Sequence, residues 1–285
     1  MIIDAHAHAF LPEDLRVLEE RMTLLDASLP DQDPNKWYLR GRGDLEGMAR
    51  DMAAAGVDRW VLLPVSGRPE RVPELLRWVA RAARDFPQVI PFGLLHPAGE
   101  VQRDLELILE LGLKGIKLHP FVQRFVLSDP GPLEMLGLVA EAGLPVVVDT
   151  LYAPGMIRAK PHLKWIMETF GFKGCEPAHL AAAARAHPRL KLIAAHGGSL
   201  YGWDALEPLW DLDNLYFDIS YLRGLIPDAR VVELIRRKGP ERVIYGSDAP
   251  WRRPGPYREW FESLPLGREE RQQVAAGTIG RLVGL

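Results

Sequence analysis

Eight short aliphatic runs alternate with longer segments of helical periodicity along the whole chain. The runs cover residues 1–6, 59–65, 89–95, 114–119, 145–149, 190–196, 214–220 and 242–248. Helical spacing of apolar residues is clearest in three of the segments between them, residues 44–56, 71–86 and 100–112. Because strands that alternate with helices are typical of a parallel sheet, the pattern predicts an α/β fold built from βα units.

Eight such units in 285 residues favour a single (β/α)₈ barrel, a TIM-like fold of roughly 250 residues. An open doubly wound sheet is disfavoured, because no G-x-G-x-x-G turn follows the first run. We expect one barrel domain over residues 1–285, with long excursions at 11–43 and 151–177 that leave the C-terminal ends of strands. The second excursion exceeds an ordinary βα loop and is predicted to form an extra helix or a lid.

The composition argues against several classes of partner. Hydrophobic residues make up 47% of the chain and charged residues 26%, the balance of a globular protein. A net charge of −3 gives no electrostatic reason to expect nucleic acid or a membrane surface as a partner. No run approaches the roughly 20 apolar residues of a membrane span, and no signal peptide is recognisable. We therefore predict a cytoplasmic protein, in agreement with its single Cys175, which we interpret as a structural thiol.

Ionisable residues gather at the ends of the predicted strands. They are His6, His8, His96, Lys117, His119, Asp149, His196, Asp218 and Asp248. In a parallel barrel all of these ends share one rim, and that rim carries the active sites of barrel enzymes. The remaining histidines, His162, His179 and His187, fall in helical or loop context and are assigned no function.

His6 and His8 lie two residues apart at the end of the first strand, in MIIDAHAH. Side chains two apart on a strand point to the same face, so the two imidazoles become neighbours that can bind one ion. With Asp248 they form a ligand set typical of a zinc-type site, and a hydrogen-bonded cluster without metal is the alternative. Asp149 is either a further ligand or the partner of a cation such as Lys117, because an unpaired carboxylate is costly there.

His196 precedes two glycines, which allow a substrate to approach the backbone closely. It is a candidate ligand or general base, with a core histidine as the alternative. His119, in KLHP, is a similar candidate, whereas functional and structural roles are equally open for His96. The stretch HGGSLYG is not a serine-hydrolase elbow, because Tyr201 replaces the second glycine, and the chain has no H-E-x-x-H or P-loop motif.

Five motifs together carry a family resemblance: IIDAHAH, GLKGIKLHP, AHGG, RVIYGSDAP and GTIGRLVGL. They resemble the amidohydrolase superfamily, in particular the amidohydrolase-related metal-dependent hydrolases and decarboxylases, the group that includes aminocarboxymuconate-semialdehyde decarboxylase. The resemblance spans nearly the whole chain. It implies a divalent metal, most commonly zinc with manganese or iron as alternatives, held by His6, His8, Asp149 and Asp248. Since the family usually has histidine at position 149, Asp149 implies either an altered metal preference or the loss of tight binding.

The resemblance makes metal-assisted hydrolysis of a small carboxylate-bearing amide, ester or lactone the leading hypothesis. A metal lowers the pKa of its bound water from ~15.7 to about 7. Asp248 would then accept and relay the proton, while His196 and His119 would stabilise developing charge. Three cationic residues are candidates to hold the substrate carboxylate: Lys117, Arg158 and Lys160.

Two alternatives to hydrolysis stay open. The same residues suit a non-oxidative decarboxylase, in which the metal organises an acid substrate and a protonated group delivers H⁺ to carbon. A barrel that binds a small ligand without turnover is the other, and its only support is Asp149. The expected partner is a small molecule, and dimers within the family make a homodimer possible. The aromatic-rich segment 250–261 would face either the pocket or a partner subunit.

Overall fold

The computed structural model describes residues 1–25, 33 and 36–285, and its strands are all parallel. They are β1 (Ile3–Ala7), β2 (Arg59–Leu62), β3 (Val89–Pro91), β4 (Gly93–Leu94), β5 (Ile116–Leu118), β6 (Pro145–Val148), β7 (Lys191–Ala194), β8 (Leu215–Asp218) and β9 (Val243–Ile244). β3 and β4 are two halves of one barrel strand that is interrupted at Phe92. All eight predicted strands are therefore confirmed.

Helices connect the strands. In chain order they are α1 (Pro12–Leu25), α2 (Leu45–Ala54), α3 (Val72–Asp85), α4 (Val101–Glu110), α5 (Pro120–Gln123), α6 (Pro130–Glu141), α7 (Ala153–Ala159), α8 (Leu163–Phe170), α9 (Pro177–Ala186), α10 (Asp228–Lys238), α11 (Pro254–Ser263), α12 (Arg268–Gln272) and α13 (Thr278–Val283). The three helices expected from periodicity correspond to α2, α3 and α4. Asp44 begins α2 as an N-cap, because its Oδ1 accepts the Gly47 N–H at 2.7 Å.

Backbone hydrogen bonds between the first and last strands close the barrel. The Ala5 N–H donates to the carbonyl of Tyr245 at 3.0 Å. Beyond it, the Asp248 N–H donates to the carbonyl of His6 at 2.8 Å, and the His8 N–H donates to the carbonyl of Ala249 at 2.7 Å. The fold is thus the predicted TIM-like (β/α)₈ barrel rather than an open sheet.

The interior of the barrel is apolar at its N-terminal end. An inner layer of aliphatic side chains there includes Ile3, Val61, Ile90, Val147, Ile193 and Ile244. Ile279 and Leu282 of α13 pack against this layer, so the closing helix covers the lower end of the barrel. A second, larger apolar core includes residues of both the strands and the surrounding helices. Polar side chains inside the barrel are therefore placed at its C-terminal end.

A bulge in β1 turns the two histidines toward the barrel interior. The pairing of β1 with β2 shifts by one residue between Asp4 and Ala7. Before the bulge, Ile3 belongs to the inner apolar layer, and after it Ala7 belongs to the outer core. His6 and His8 consequently take the inward positions, since a one-residue shift exchanges the two faces of a strand.

Asp4 holds this bulge through a fully buried carboxylate. Its Oδ1 accepts the His6 N–H at 3.1 Å and the Ser247 N–H at 3.0 Å, so the first strand is tied to the last. Burial raises the pKa of Asp4 to about 7, although its hydrogen bonds with Ser247 and His6 oppose the shift. Asp4 therefore fixes the backbone that carries the first histidine.

The two excursions have different outcomes. Residues 12–25 of the first form α1, whereas 26–32, 34 and 35 lie outside the described residues. The second, 151–177, contains α7 and α8, in agreement with the predicted extra helix, and its apolar side chains pack with Leu200 and Tyr221 above the barrel. Among the described helices, none is long and apolar enough to cross a membrane. The single domain over 1–285 stays a prediction.

Replacing Asp4 tests its role in positioning β1. Asp4→Ala leaves two buried N–H groups without their acceptor, and each such group costs about 1–3 kcal/mol. We expect the free energy of unfolding to fall by about 2–6 kcal/mol, measured by equilibrium urea denaturation. Asp4→Asn keeps an acceptor oxygen, so its free energy of unfolding should fall clearly less than that of Asp4→Ala. Equal losses in the two variants would contradict this role.

Candidate active site

Three potential metal ligands converge where β1 meets the end of the last strand. The side chains of His6, His8 and Asp248 are buried, and each offers a ligand atom within 4.8 Å of the other two. Asp248 Oδ1 lies 3.7 Å from Nε2 of His6 and 3.4 Å from Nε2 of His8. The structure thus brings together the two histidines and the last-strand carboxylate that the sequence predicted as one site.

Hydrogen bonds on the far side of each imidazole orient the two rings. Nδ1 of His6 lies 2.7 Å from Oδ2 of Asp218, and Nδ1 of His8 lies 2.8 Å from the carbonyl oxygen of Leu63. A carbonyl or a carboxylate only accepts, so both Nδ1 atoms donate a proton, and Nε2 of each ring faces Asp248. Such outer partners are typical of metal-binding histidines, and this donor set fits a divalent cation.

Lys117 enters the same cluster from β5, and its predicted contact with a substrate carboxylate stays a prediction. It is fully buried, and its Nζ lies 3.1 Å from Nε2 of His6. Burial lowers the pKa of Lys117, against the opposing charges of Asp149, Asp248 and Asp218. Burial likewise lowers the pKa of His6, to about 4, with Lys117 adding to the shift. His6 is therefore neutral at physiological pH.

Asp149 pairs with two histidines on the neighbouring strand ends. Its Oδ2 lies 3.1 Å from Nε2 of His196 and 3.5 Å from Nε2 of His119. Burial would lower the pKa of His196, but the hydrogen bond and charge of Asp149 outweigh it and raise that pKa to about 9. Burial raises the pKa of Asp149, yet the neighbouring imidazoles and Lys117 bring it well below its usual range. The pair is thus a carboxylate and an imidazolium, and the metal-ligand role of Asp149 stays a prediction.

His119 keeps one ring nitrogen available. Its Nδ1 is buried and finds no hydrogen-bond partner among the described residues. Burial lowers the pKa of His119 to about 4, although Asp149 opposes the shift, so the ring is neutral. A buried polar atom without a partner is costly unless a ligand satisfies it, which agrees with a role in substrate contact.

Asp218 and Ser220 link the two histidine groups beneath the site. The Ser220 hydroxyl lies 2.5 Å from Oδ1 of Asp218, 3.1 Å from Nδ1 of His6 and 2.9 Å from Nδ1 of His196. Oδ1 of Asp218 also accepts the backbone N–H of His196 at 2.9 Å. His6, His196 and Asp218 form a second ligand-like group, but these contacts already engage its ring nitrogens. We therefore assign Asp218 and Ser220 to positioning.

Three strand ends leave the barrel through left-handed backbone. The φ angles are 57° at His196, 65° at Tyr221 and 66° at Asp248. Residues other than glycine adopt this conformation at a cost of about 1–3 kcal/mol each, and such strain concentrates at functional sites. The left-handed conformation turns the backbone sharply at the rim of the barrel. Two of the three residues, His196 and Asp248, carry side chains of the site.

Aromatic rings surround the cluster. Trp251 packs edge-on against His8 at 5.2 Å between ring centroids, and Phe10 stacks on His8 at 6.3 Å. On the other side the Tyr221 ring lies 6.1 Å from His196. These rings provide an apolar, low-dielectric wall beside the charged groups.

The remaining predicted residues are Arg158 and Lys160 of the second excursion, His96 and Cys175. Arg158 is exposed on α7, and Lys160 is buried with Nζ 3.5 Å from the centre of the Trp37 ring. Their predicted substrate contacts stay predictions. His96 accepts the Ala98 N–H through Nδ1 at 3.1 Å, which favours its structural alternative. Cys175 is buried, and burial raises the pKa of its thiol, as expected of a structural thiol.

Sequence reasoning assigned no role to Asp4, Asp218 or Ser220. A signal was present, because Asp218 and Ser220 alternate on one face of a strand in YFDIS, as His6 and His8 do. Asp4 stands two residues before His6, but only the bulge shows that its carboxylate binds the backbone.

The sequence matches the model of the protein family described as Amidohydrolase over residues 3–285. No curated protein sequence matches it significantly. Solved structures match over the whole chain. An uncharacterized TIM-barrel protein, Bb4693 from Bordetella bronchiseptica, is 20% identical with a TM-score of 0.72, and the match covers 99% of this chain and 98% of that one.

Two further neighbours are named as decarboxylases. A 5-carboxyvanillate decarboxylase from Sphingomonas paucimobilis is 16% identical with a TM-score of 0.70, and the match covers 100% of this chain and 99% of that one. A dihydroxybenzoic acid decarboxylase from Polaromonas sp. JS666, solved with manganese and 2-nitroresorcinol, is 16% identical with a TM-score of 0.71, covering 100% and 97%. At these identities the likeness shows the fold alone.

The Asp149–His196 pair predicts a pH-dependent contribution to stability. Because folding raises the pKa of His196 from 6.5 to about 9, this contribution is complete below pH 6.5 and is lost as pH rises through about 9. Asp149→Asn should cost about 3–5 kcal/mol of unfolding free energy near neutral pH, and the difference from wild type should narrow by about pH 10. Equilibrium urea denaturation of both proteins at a series of pH values, in a buffer that contains a chelator, measures this difference in unfolding free energy.

The matched control is Asp204→Asn, which removes a fully exposed carboxylate. Its unfolding free energy should differ little from wild type at any pH in this range. If the difference between wild type and Asp149→Asn stayed constant across the range, the imidazolium assigned to His196 would be wrong.

Proposed function

The chain belongs to the amidohydrolase family, and on that premise we propose that this enzyme is a metal-dependent decarboxylase of a small aromatic carboxylic acid. One observation carries the proposal: His196, hydrogen-bonded to the buried carboxylate of Asp149, lies beside the cluster of His6, His8 and Asp248. Family membership favours an enzyme over the ligand-binding barrel without turnover.

We propose that His6, His8 and Asp248 hold one divalent metal. A metal bound there supplies Lewis-acid stabilisation of anionic substrate groups. Imidazole and carboxylate ligands suit zinc, manganese and iron, and the Polaromonas neighbour contains manganese. Manganese is therefore the first ion to test, ahead of the zinc expected from the sequence.

An aromatic acid suits the walls of the site. Trp251 and Phe10 on one side and Tyr221 on the other present ring faces and edges on which an aromatic substrate can pack. The decarboxylases among the structural neighbours carry the names of benzoate and vanillate derivatives. Both facts support an aromatic substrate class.

Decarboxylation replaces a carbon–carboxylate bond with a carbon–hydrogen bond, so the site must deliver one proton to carbon. His196 carries that proton at neutral pH, and Oδ2 of Asp149 retains it at Nε2. We propose that Nε2 of His196 donates it and that solvent restores it after carbon dioxide leaves. Nδ1 of His119, which has no hydrogen-bond partner in the described part of the chain, would then hydrogen-bond the substrate.

Burial of these groups favours the same reaction. His6, His8, His196 and Asp248 are each at most 8% exposed, so little water reaches them. Loss of neutral carbon dioxide from an anionic carboxylate is easier in a water-poor site. The reaction also needs no water molecule as a reactant.

Hydrolysis is the second candidate, and Asp248 favours it. Burial raises the pKa of Asp248, but His8, His6 and His196 lower it overall, so the carboxylate is ionised and can accept a proton from water. Either reaction requires only a small molecule as partner. The homodimer and the cytoplasmic location stay predictions.

The products distinguish the two reactions. We expect a panel of hydroxybenzoic acids, incubated with the manganese-loaded enzyme, to release carbon dioxide, and in D₂O to give products with one deuterium at the vacated carbon. Oxygen from ¹⁸O-water in the product, without carbon dioxide release, would show a hydrolase instead. His196→Gln should lower kcat by about 10²–10⁴-fold, because it removes the proton donor.

Metal binding tests the ligand set directly. Asp218→Asn weakens the partner that orients His6, so the metal affinity measured by calorimetry should fall about 10–100-fold. His8→Ala should abolish tight binding, whereas the exposed control Asp204→Asn should leave it unchanged. Chelation should end turnover and added manganese should restore it. Full turnover by protein shown by mass spectrometry to be metal-free would contradict the assignment.

A further inference from the structure

A basic cavity lies next to the candidate active site at the same end of the barrel. Its volume is about 570 Å³. Four arginines and two tyrosines line it: Arg40, Arg223, Arg252, Arg253, Tyr38 and Tyr257. Among the described residues no aspartate or glutamate lines it. The guanidinium groups of Arg40, Arg223 and Arg253 give this cavity a positive potential, which favours the binding of an anion.

The position of the cavity in the barrel is informative. Arg223 follows β8, the seventh barrel strand, while Arg252 and Arg253 follow β9, the eighth. Arg40 comes from the segment after β1, and α11 begins directly after Arg253. In TIM barrels the loops after the seventh and eighth strands, with the N-terminus of a following helix, frequently bind phosphate groups.

Local contacts hold these arginines in place. Nε of Arg253 donates to the carbonyl of Arg40 at 2.7 Å, and the Arg40 guanidinium stacks over the Tyr38 ring at 4.1 Å. Nη1 of Arg223 donates to the carbonyl of Pro256 at 2.9 Å. Each contact uses only part of a guanidinium, which has five N–H donors. The side chains of Arg40, Arg223 and Arg253 are therefore positioned, and these contacts with other described residues use only some of their donors.

Arg252 connects the cavity to the active site. Its guanidinium lies 3.9 Å from the centre of the Tyr221 ring. The same tyrosine ring lies 6.1 Å from the ring of His196. The Arg252 N–H also donates to the carbonyl of Asp248 at 3.2 Å. The cavity is thus separate from the ligand cluster but shares its supporting residues.

From this geometry we propose that the cavity is an oxyanion site, which binds the phosphate or carboxylate group of a small molecule. Planar guanidinium groups match the geometry of both oxyanions and form charge-assisted hydrogen bonds with them. The site is assigned independently of the decarboxylase proposal, because binding here involves no metal and no reaction.

Calorimetric titration of the full-length protein with inorganic phosphate, and separately with succinate, tests the proposal. We expect saturable binding of at least one probe, and the stronger one identifies the preferred oxyanion. Arg223→Gln/Arg253→Gln removes two exposed guanidiniums and should weaken binding about tenfold or more for each. The affinity of Arg223→Lys/Arg253→Lys for the probe should lie between those of the wild type and the glutamine variant, since lysine keeps the charge but not the bidentate geometry.

Two controls distinguish binding in this cavity from general attraction of anions to basic side chains and from binding at the metal centre. Arg81→Gln/Arg84→Gln removes two exposed arginines from α3 and should leave binding unchanged. Asp248→Asn should also bind the probe normally, so a failed metal centre and a failed anion site give different results. The proposal is overturned if neither probe binds, if the α3 control weakens binding equally, or if the Arg223/Arg253 variants alter only the oligomeric state.

Discussion

Closure of the barrel by its first and last strands is the constraint on which the site depends. The hydrogen bonds that join these strands run through the ligand residues themselves: the Asp248 N–H donates to the carbonyl of His6, and the His8 N–H to that of Ala249. The backbone pairing that completes the ring therefore sets the spacing of the three ligands. Asp4 reinforces it, because one carboxylate oxygen accepts N–H groups from both strands.

The buried carboxylates inside the closed barrel are stable only as part of a hydrogen-bonded network. Asp149, Asp218 and Asp248 are each less than a tenth exposed, and an isolated carboxylate there would be very costly. Asp218 is satisfied by His6, Ser220 and the His196 backbone, and Asp149 by His196. The imidazoles thus act as counter-groups as well as potential ligands. Removing one member of such a network leaves its partners buried without compensation, so the residues must be considered together.

The sequence predicts much of this because strand geometry is regular. Alternation along β1 correctly placed His6 and His8 together, and barrel topology correctly placed Asp248 beside them. It could not show the bulge that decides which face they occupy, nor choose among the cations and imidazoles near Asp149, since both depend on packing between distant strands. The arginine cavity was equally inaccessible: Arg40 and Arg223 become neighbours only through the closed ring. Charge is the only signal that the sequence gives at Arg158 and Lys160, and charge by itself carries no information on position in the fold.

Asp149 shows how one residue can change the chemistry of a shared scaffold. The family resemblance implies histidine at this strand end, and a neutral imidazole there would offer a hydrogen-bond acceptor but no negative charge to a second, protonated imidazole. The carboxylate does so, and raises the pKa of His196 to about 9 in spite of burial. The carboxylate at this strand end thus favours a proton on His196, at the neighbouring strand end and next to the ligand cluster. A reaction that ends with protonation of carbon uses that difference directly, whereas metal-assisted attack by water requires only the ionised Asp248.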